Sequence, residues 1–152
     1  MKQDSDMGKE EKFDEFLMIM DDQIDALEND AQKRGFHLEI DLSSLEALED
    51  LFMQMKSEVA TEEVSKLFVY FGRYLGEIVR TTYGGKWFLP LNDKKNVNYN
   101  IHVIIGHSPV MDLEFDPIGL MRALSIKEKK GLLRRAIDAD VHPSPIHIEP
   151  EK

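Results

Sequence analysis

The segment Val64–Thr82 constrains this chain more than any other part of it. At about 100° per residue, Val64, Phe68, Phe71, Leu75, Ile78 and Val79 fall within one arc, and Leu67, Val69 and Tyr74 widen it. Mainly Lys66, Arg73, Glu77 and Arg80 are left to form a polar stripe. A helix apolar over so much of its circumference has to be central, with other elements packed around it. Gly72 and Gly76 share one edge of the buried arc, and each costs roughly 1 kcal/mol against alanine in a helix interior. That cost is tolerated where another backbone, helix or strand, comes close. The same G-x-x-x-G spacing pairs membrane helices only within an apolar stretch of about 20 residues, and no such stretch is present.

The flanking segments predict what covers this helix. Phe13, Phe16, Leu17, Met20, Ile24 and Leu27 recur at helical spacing with acidic residues between them, and Lys33-Arg34-Gly35 is a good stop. A short extended segment, Phe36–Ile40, leads to a second helix in which Ser43 and Glu46 have capping-box spacing. Its apolar face is Leu45, Leu48, Leu51, Phe52 and Met55, and Thr61 is placed to cap the central helix. After Gly84-Gly85, Lys86–Leu91 and Tyr99–Ile105 predict an antiparallel hairpin through the polar Asn92–Asn98 segment, with Pro90 marking an edge or a bend. Gly106–Asp116 reads as a loop or further short strand. Asp116-Pro117 then starts a helix to Leu124, and another is expected from about Ser125 to Asp138, weakly interrupted at Gly131. Residues 1–10 lack an apolar face and are expected to be disordered. Residues 141–152 hold three prolines and are expected to be extended or disordered. Residues 11–140 then form one α+β domain: N-terminal helices and a long central helix, packed with a small antiparallel hairpin or sheet and C-terminal helices.

Several kinds of chemistry lack the residues they need. With no cysteine there is no disulfide framework, thiolate zinc site or cysteine nucleophile. Of the five histidines, His102 and His107 fall on opposite faces of a continuous strand, His142 and His147 lie in the tail, and His37 stands alone. No H-E-x-x-H, phosphate loop or nucleophile elbow is present; Gly106-His107-Ser108-Pro109 lacks the elbow's glycine spacing. Asp112, Glu114 and Asp116 alternate, so an extended segment would bring them to one face as an acid–base or hard-cation cluster, or as a solvated edge opposite Met111, Leu113 and Phe115. No cofactor and no metal are expected. The polar N-terminus has no signal-peptide core, so a cytoplasmic protein that does not enter a membrane is expected.

Charge is where the chain departs from the ordinary. Its net charge is −10, and residues 1–63 hold 19 acids against 6 bases while residues 64–152 hold 10 against 13. That surplus of anions argues against nucleic acid, whose phosphates need cations. Arg122, Lys127, Lys129, Lys130, Arg134 and Arg135 read as a solvated helix face packed beside the acidic half. Asp14, Asp21, Asp22, Asp25 and Glu28 on the first helix, with Glu46, Glu49 and Asp50 on the second, are expected to present an acidic surface to solvent and to a basic protein partner.

Three blocks carry a resemblance: Ile40-Asp41-Leu42-Ser43-Ser44-Leu45-Glu46-Ala47-Leu48-Glu49, then Tyr70-Phe71-Gly72-Arg73-Tyr74-Leu75-Gly76-Glu77, then Gly84-Gly85-Lys86-Trp87. Their order resembles a group of small bacterial domains with a YLGE…GGKW pattern, some of whose members look like immunity or accessory proteins of bacterial antagonism systems. The resemblance covers roughly residues 36–125. It implies a fold and a non-enzymatic, immunity-like binding role, and carries over no catalytic residue. On the residues themselves, Arg73 and Glu77 are one turn apart and placed for an ion pair, in the poorer orientation; Glu77 is alternatively placed to cap Gly84-Gly85 or to meet the hairpin beside Trp87, the only tryptophan. Two readings result. The leading one is a protein-binding module with Asp21, Asp22 and Asp25 on its acidic face. The alternative is a small enzyme or ligand-binding domain with a cleft near Arg73, Tyr74, Glu77 and Trp87.

Overall fold

Helix α4 (Val64–Tyr83) passes through the centre of the protein in the computed structural model, which describes residues 2–142 and the side chains of residues 8–142. Its buried residues include Leu67, Phe71, Tyr74, Leu75, Ile78 and Val79, as a broad apolar arc requires. Around it lie α1 (Lys2–Met18), α2 (Met20–Lys33), α3 (Leu45–Lys56), β1 (Lys86–Phe88), β2 (Val103–Ile105), α5 (Pro117–Lys127) and α6 (Leu132–Val141). The architecture is α+β. Helices α2, α3 and α5 and both strands pack directly on α4, and one continuous core runs from Phe16 and Leu27 through Phe52 and Phe71 to Met121, Leu133 and Ile137.

Both glycines make room for a close neighbour, but only at Gly72 is that neighbour the backbone that the spacing predicts; at Gly76 it is a side chain. A Cβ on Gly72 would lie 2.8 Å from the Ile118 Cα, because the first turn of α5 is laid against α4 there. A Cβ on Gly76 would lie 2.2 Å from Cη2 of Trp87. Asp116 and Pro117 open α5 as expected, with the Asp116 carboxylate accepting from the Gly119 N–H at 2.9 Å. Gly35, at φ 85°, closes α2, and Phe36 N–H donates to the Ala31 carbonyl at 2.8 Å.

Other boundaries differ from the sequence reading. Helix α1 begins at Lys2, so residues 2–10 are helical where disorder is expected. They supply Lys2, Gln3, Lys9 and Glu10, good helix formers that extend a helix already anchored at Phe16. Residues 143–152, most of the expected tail, lie outside the described residues. Neither Ser43 nor Thr61 makes the expected cap. Short 3₁₀ turns precede α3 and α4, and Asp41 Oδ1 accepts from the Ser43 N–H at 2.9 Å instead.

The strands are shorter than predicted. They pair antiparallel as Lys86↔Ile105, Trp87↔Ile104 and Phe88↔Val103. Beyond Pro90 the Asn-rich segment bonds to itself, Lys95 N–H to Asp93 Oδ1 and Asn98 N–H to Asn96 Oδ1, both at 2.9 Å, and such local bonds compete with a ladder. On the other edge of β2, Phe115 exchanges two 2.9 Å bonds with Ile104.

Helices α5 and α6 are separated by left-handed residues, Glu128 at φ 50° and Gly131 at φ 86°, where the sequence predicts a helix running on from Ser125. The cause is remote. Glu49 is buried, and its carboxylate accepts from the N–H groups of Gly131 at 2.9 Å and Leu133 at 3.0 Å, capping α6 from α3. Glu49 therefore does not belong to the outward acidic surface. The C-terminal bases do sit beside the acidic half, with Lys130 3.0 Å from Asp50 and Arg134 donating to the Leu42 carbonyl at 3.2 Å.

Candidate functional site

Glu77 lies on α4 about two turns before the chain turns toward β1 at Gly84, and the hairpin brings Trp87 across to it. Its carboxylate accepts from Arg80 Nε at 2.9 Å, from Arg80 Nη2 at 2.8 Å and from the Trp87 indole N–H at 2.7 Å. The side chain is 13% exposed. Burial alone would raise its pKa, but the bonds from Arg80 and Trp87 and the charges of Arg80 and Arg73 outweigh it and hold the carboxyl below its usual range. Its three hydrogen bonds leave Glu77 little capacity for a substrate. It ties α4 to β1, one of the contacts anticipated for it.

Arg73 does not lie on a polar stripe and does not pair with Glu77 within ion-pair distance. It is 4% exposed. Its Nη1 donates to the Phe16 carbonyl, its guanidinium lies 3.9 Å from the centre of the Phe16 ring, and its Nε has no partner. Glu77 is turned from it by Arg80 and Trp87. Burial lowers the Arg73 pKa and the Glu77 charge partly restores it. Tyr74, fully buried, donates to Glu28 at 2.7 Å, and Tyr70 donates to Asp30 at 2.7 Å. Both hydroxyls have raised pKa values from burial first and the facing carboxylate second. Arg73, Glu77 and Trp87 thus turn inward where α4 meets Phe16 and β1, with Trp87 buried and its ring edge-on to Phe16 at 4.9 Å, while Tyr74 turns to Glu28.

The histidines hold surprises for the sequence reading. His102 packs on Phe16 at 4.4 Å and Phe13 at 5.2 Å, and burial, then the nearby Arg73 charge, lowers its pKa to about 4. His107, buried, meets Asp140 at 2.9 Å, while Ser108 Oγ donates to the Asp140 carbonyl at 2.6 Å. These contacts join the loop after β2 to the end of α6, a pairing of residues 33 apart that no local spacing signals.

Asp112, Glu114 and Asp116 are not brought together as a cluster. Asp112 has φ 62°, which breaks the alternation. Glu114 accepts from Asn96 Nδ2 at 3.1 Å and Asn98 Nδ2 at 2.9 Å, and Asp116 is the α5 cap. Among the described residues no group of three His, Asp or Glu is placed to hold a metal, and no helix is long and apolar enough to cross a membrane.

The acidic face of α1 and α2 is different. Asp14, Asp21, Asp22 and Asp25 are exposed, and among the described residues none forms an ion pair. Asp14 lies one turn before Met18, which is 78% exposed, at the end of α1, and Asp21, Asp22 and Asp25 follow on α2. Glu28 departs from this face to meet Tyr74. Sequence reasoning passed over Met18, one turn from both Asp14 and Asp22, because it lies outside the apolar spacing of Phe13, Phe16, Met20 and Ile24.

The class defined by this geometry is a helical α+β protein with a two-stranded sheet, an inward-facing polar joint and one acidic helix face. Comparison with protein-family models, curated proteins and solved structures finds no match to the chain.

Proposed function

We propose that this protein is a non-enzymatic, immunity-like binding module that takes a basic protein on the outward face of α1 and α2. The observation that carries the reading is Met18, 78% exposed at the end of α1, one turn after the exposed Asp14 and just ahead of the exposed Asp21, Asp22 and Asp25 of α2. An apolar contact inside a charged rim is the usual anatomy of a protein interface. Four like charges on α1 and α2 repel one another, and a cationic partner relieves that repulsion while being steered to it. The rival reading, a ligand cleft at Arg73, Tyr74, Glu77 and Trp87, is disfavoured because these side chains turn inward, Arg73 to the Phe16 carbonyl, Tyr74 to Glu28 and Trp87 to Glu77.

The test compares the immobilised wild type with the Asp21→Lys, Asp22→Lys, Asp25→Lys triple variant and with Met18→Ser, using extract from the source cell. The wild type should retain a basic protein that both variants lose. With that partner purified, its association rate should fall about tenfold or more as salt rises from about 0.02 to 0.3 M. Retention of the same proteins by wild type and triple variant overturns the reading.

A further inference from the structure

Trp87 packs from β1 toward Gly76 of α4, so strand alternation places Lys86 and its cross-strand partner Ile105 on the opposite face of the sheet. A groove of about 420 Å³ opens there, lined by Gly85 and Lys86 at the start of β1, Ile105 of β2, and Ser108, Val110 and Met111 of the loop that follows. Val110 is exposed and Met111 is 85% exposed. Apolar groups left in water beside a groove favour whatever covers them. The last helix is fastened to this same loop. Ser108 Oγ donates to the Asp140 carbonyl at 2.6 Å, and His107 meets the Asp140 carboxylate at 2.9 Å. Helix α6 ends at Val141, and beyond its cap His142 the sequence runs Pro143-Ser144-Pro145-Ile146-His147-Ile148-Glu149.

We propose that residues 143–149 fold back over the groove, seating Ile146 and Ile148 against Ile105, Val110 and Met111. The reach is sufficient. Ile146 and Ile148 lie six and eight residues past Asp140, spans of up to about 20 and 27 Å, and the groove begins at Ser108, which Asp140 holds. The sequence suits the task. Pro143 and Pro145 each fix φ and bias the preceding residue to extended backbone, and on an extended chain Ile146 and Ile148 point the same way. Glu149 follows directly, and Lys86 on the groove is exposed with no ion pair among the described residues. Tethering makes a weak contact enough. A short linker presents its end at an effective concentration of about millimolar, so a contact of only millimolar intrinsic affinity covers the groove about half the time. Nothing in this contact depends on the acidic residues of α1 and α2.

Nuclear magnetic resonance on the full chain, labelled at isoleucine and methionine methyl groups, tests the contact. Nuclear Overhauser cross-peaks should join Ile146 or Ile148 to the Met111 ε-methyl. In the Ile146→Asp, Ile148→Asp double variant, which leaves every core residue in place, those cross-peaks should vanish and the Met111 signal should move toward that of an exposed methionine. A sample mixing isoleucine-labelled with methionine-labelled chains should show no such cross-peak. Absence of the cross-peaks in the wild type, or a Met111 signal unmoved by the double substitution, overturns the proposal. Cross-peaks in the mixed sample overturn it as well, since they would put the segment of a second copy in the groove.

Discussion

His102 shows how much a single side chain's surroundings can differ from its neighbourhood in sequence. It sits between Ile101 and Val103 in a predicted strand, yet its ring is pressed on Phe13 and Phe16 with the Arg73 charge close by. Its pKa drops from the ordinary 6.5 to about 4, so the unfolded chain binds the proton first. The sign follows by linkage: as pH falls from about 6.5 toward about 4, stability is lost, and it is fully present above that window. A His102→Gln variant carries no such titration. Urea denaturation of both proteins from pH 7 to 4 should show the wild type losing stability more steeply, and parallel curves would place His102 in solvent-like surroundings. Arg73 carries the same lesson. Its helical position beside Lys66, Glu77 and Arg80 read as solvent-facing, because the acceptor that draws it inward is a backbone carbonyl 57 residues away, and no side-chain pattern announces a carbonyl.

At the scale of elements, α4 was legible because its signal is internal: apolar spacing and two glycines lie in one segment. The α5–α6 junction was not, because Glu128 adopts a left-handed backbone that its residue type does not advertise, and the cap on α6 comes from α3. The same contrast gives a test of the Gly72 contact. Alanine at Gly72 would gain roughly 1 kcal/mol of helix propensity but drive a methyl against the Ile118 backbone 2.8 Å away. Backbone yields less readily than a side-chain tip, so Gly72→Ala should be destabilising overall, by about 1–3 kcal/mol. Gly8→Ala, in α1 with nothing within 4 Å of its added methyl, should be neutral or stabilising. Thermal melts of the two variants check this. Equal gains at both positions would mean that α5 slides away from α4 at little cost.

For the whole molecule the net charge of −10 sets the balance. The cross-chain ion pairs, Arg34–Glu58 at 2.8 Å, Lys56–Glu128 at 2.8 Å and Lys130–Asp50 at 3.0 Å, are largely exposed and of small individual worth. Repulsion among the unpaired carboxylates of α1 and α2 should outweigh them. Screening by salt should therefore raise the melting temperature between about 0.01 and 0.5 M, by a few degrees. A fall would show that the ion pairs dominate. The charge imbalance itself was plain in the sequence; which carboxylates face outward was not, since Glu28 and Glu49 were drawn inward by partners on other helices. Glu49 also bears on how the chain is made. Synthesis runs from the N-terminus, so α3 emerges well before the residues whose N–H groups its carboxylate receives. Until Gly131 and Leu133 have left the ribosome, closing the core around Glu49 would bury a charge with nothing to hold it, a penalty of about 3–5 kcal/mol. The core around Glu49 thus waits for α6, and its closure follows the emergence of residues 131–133.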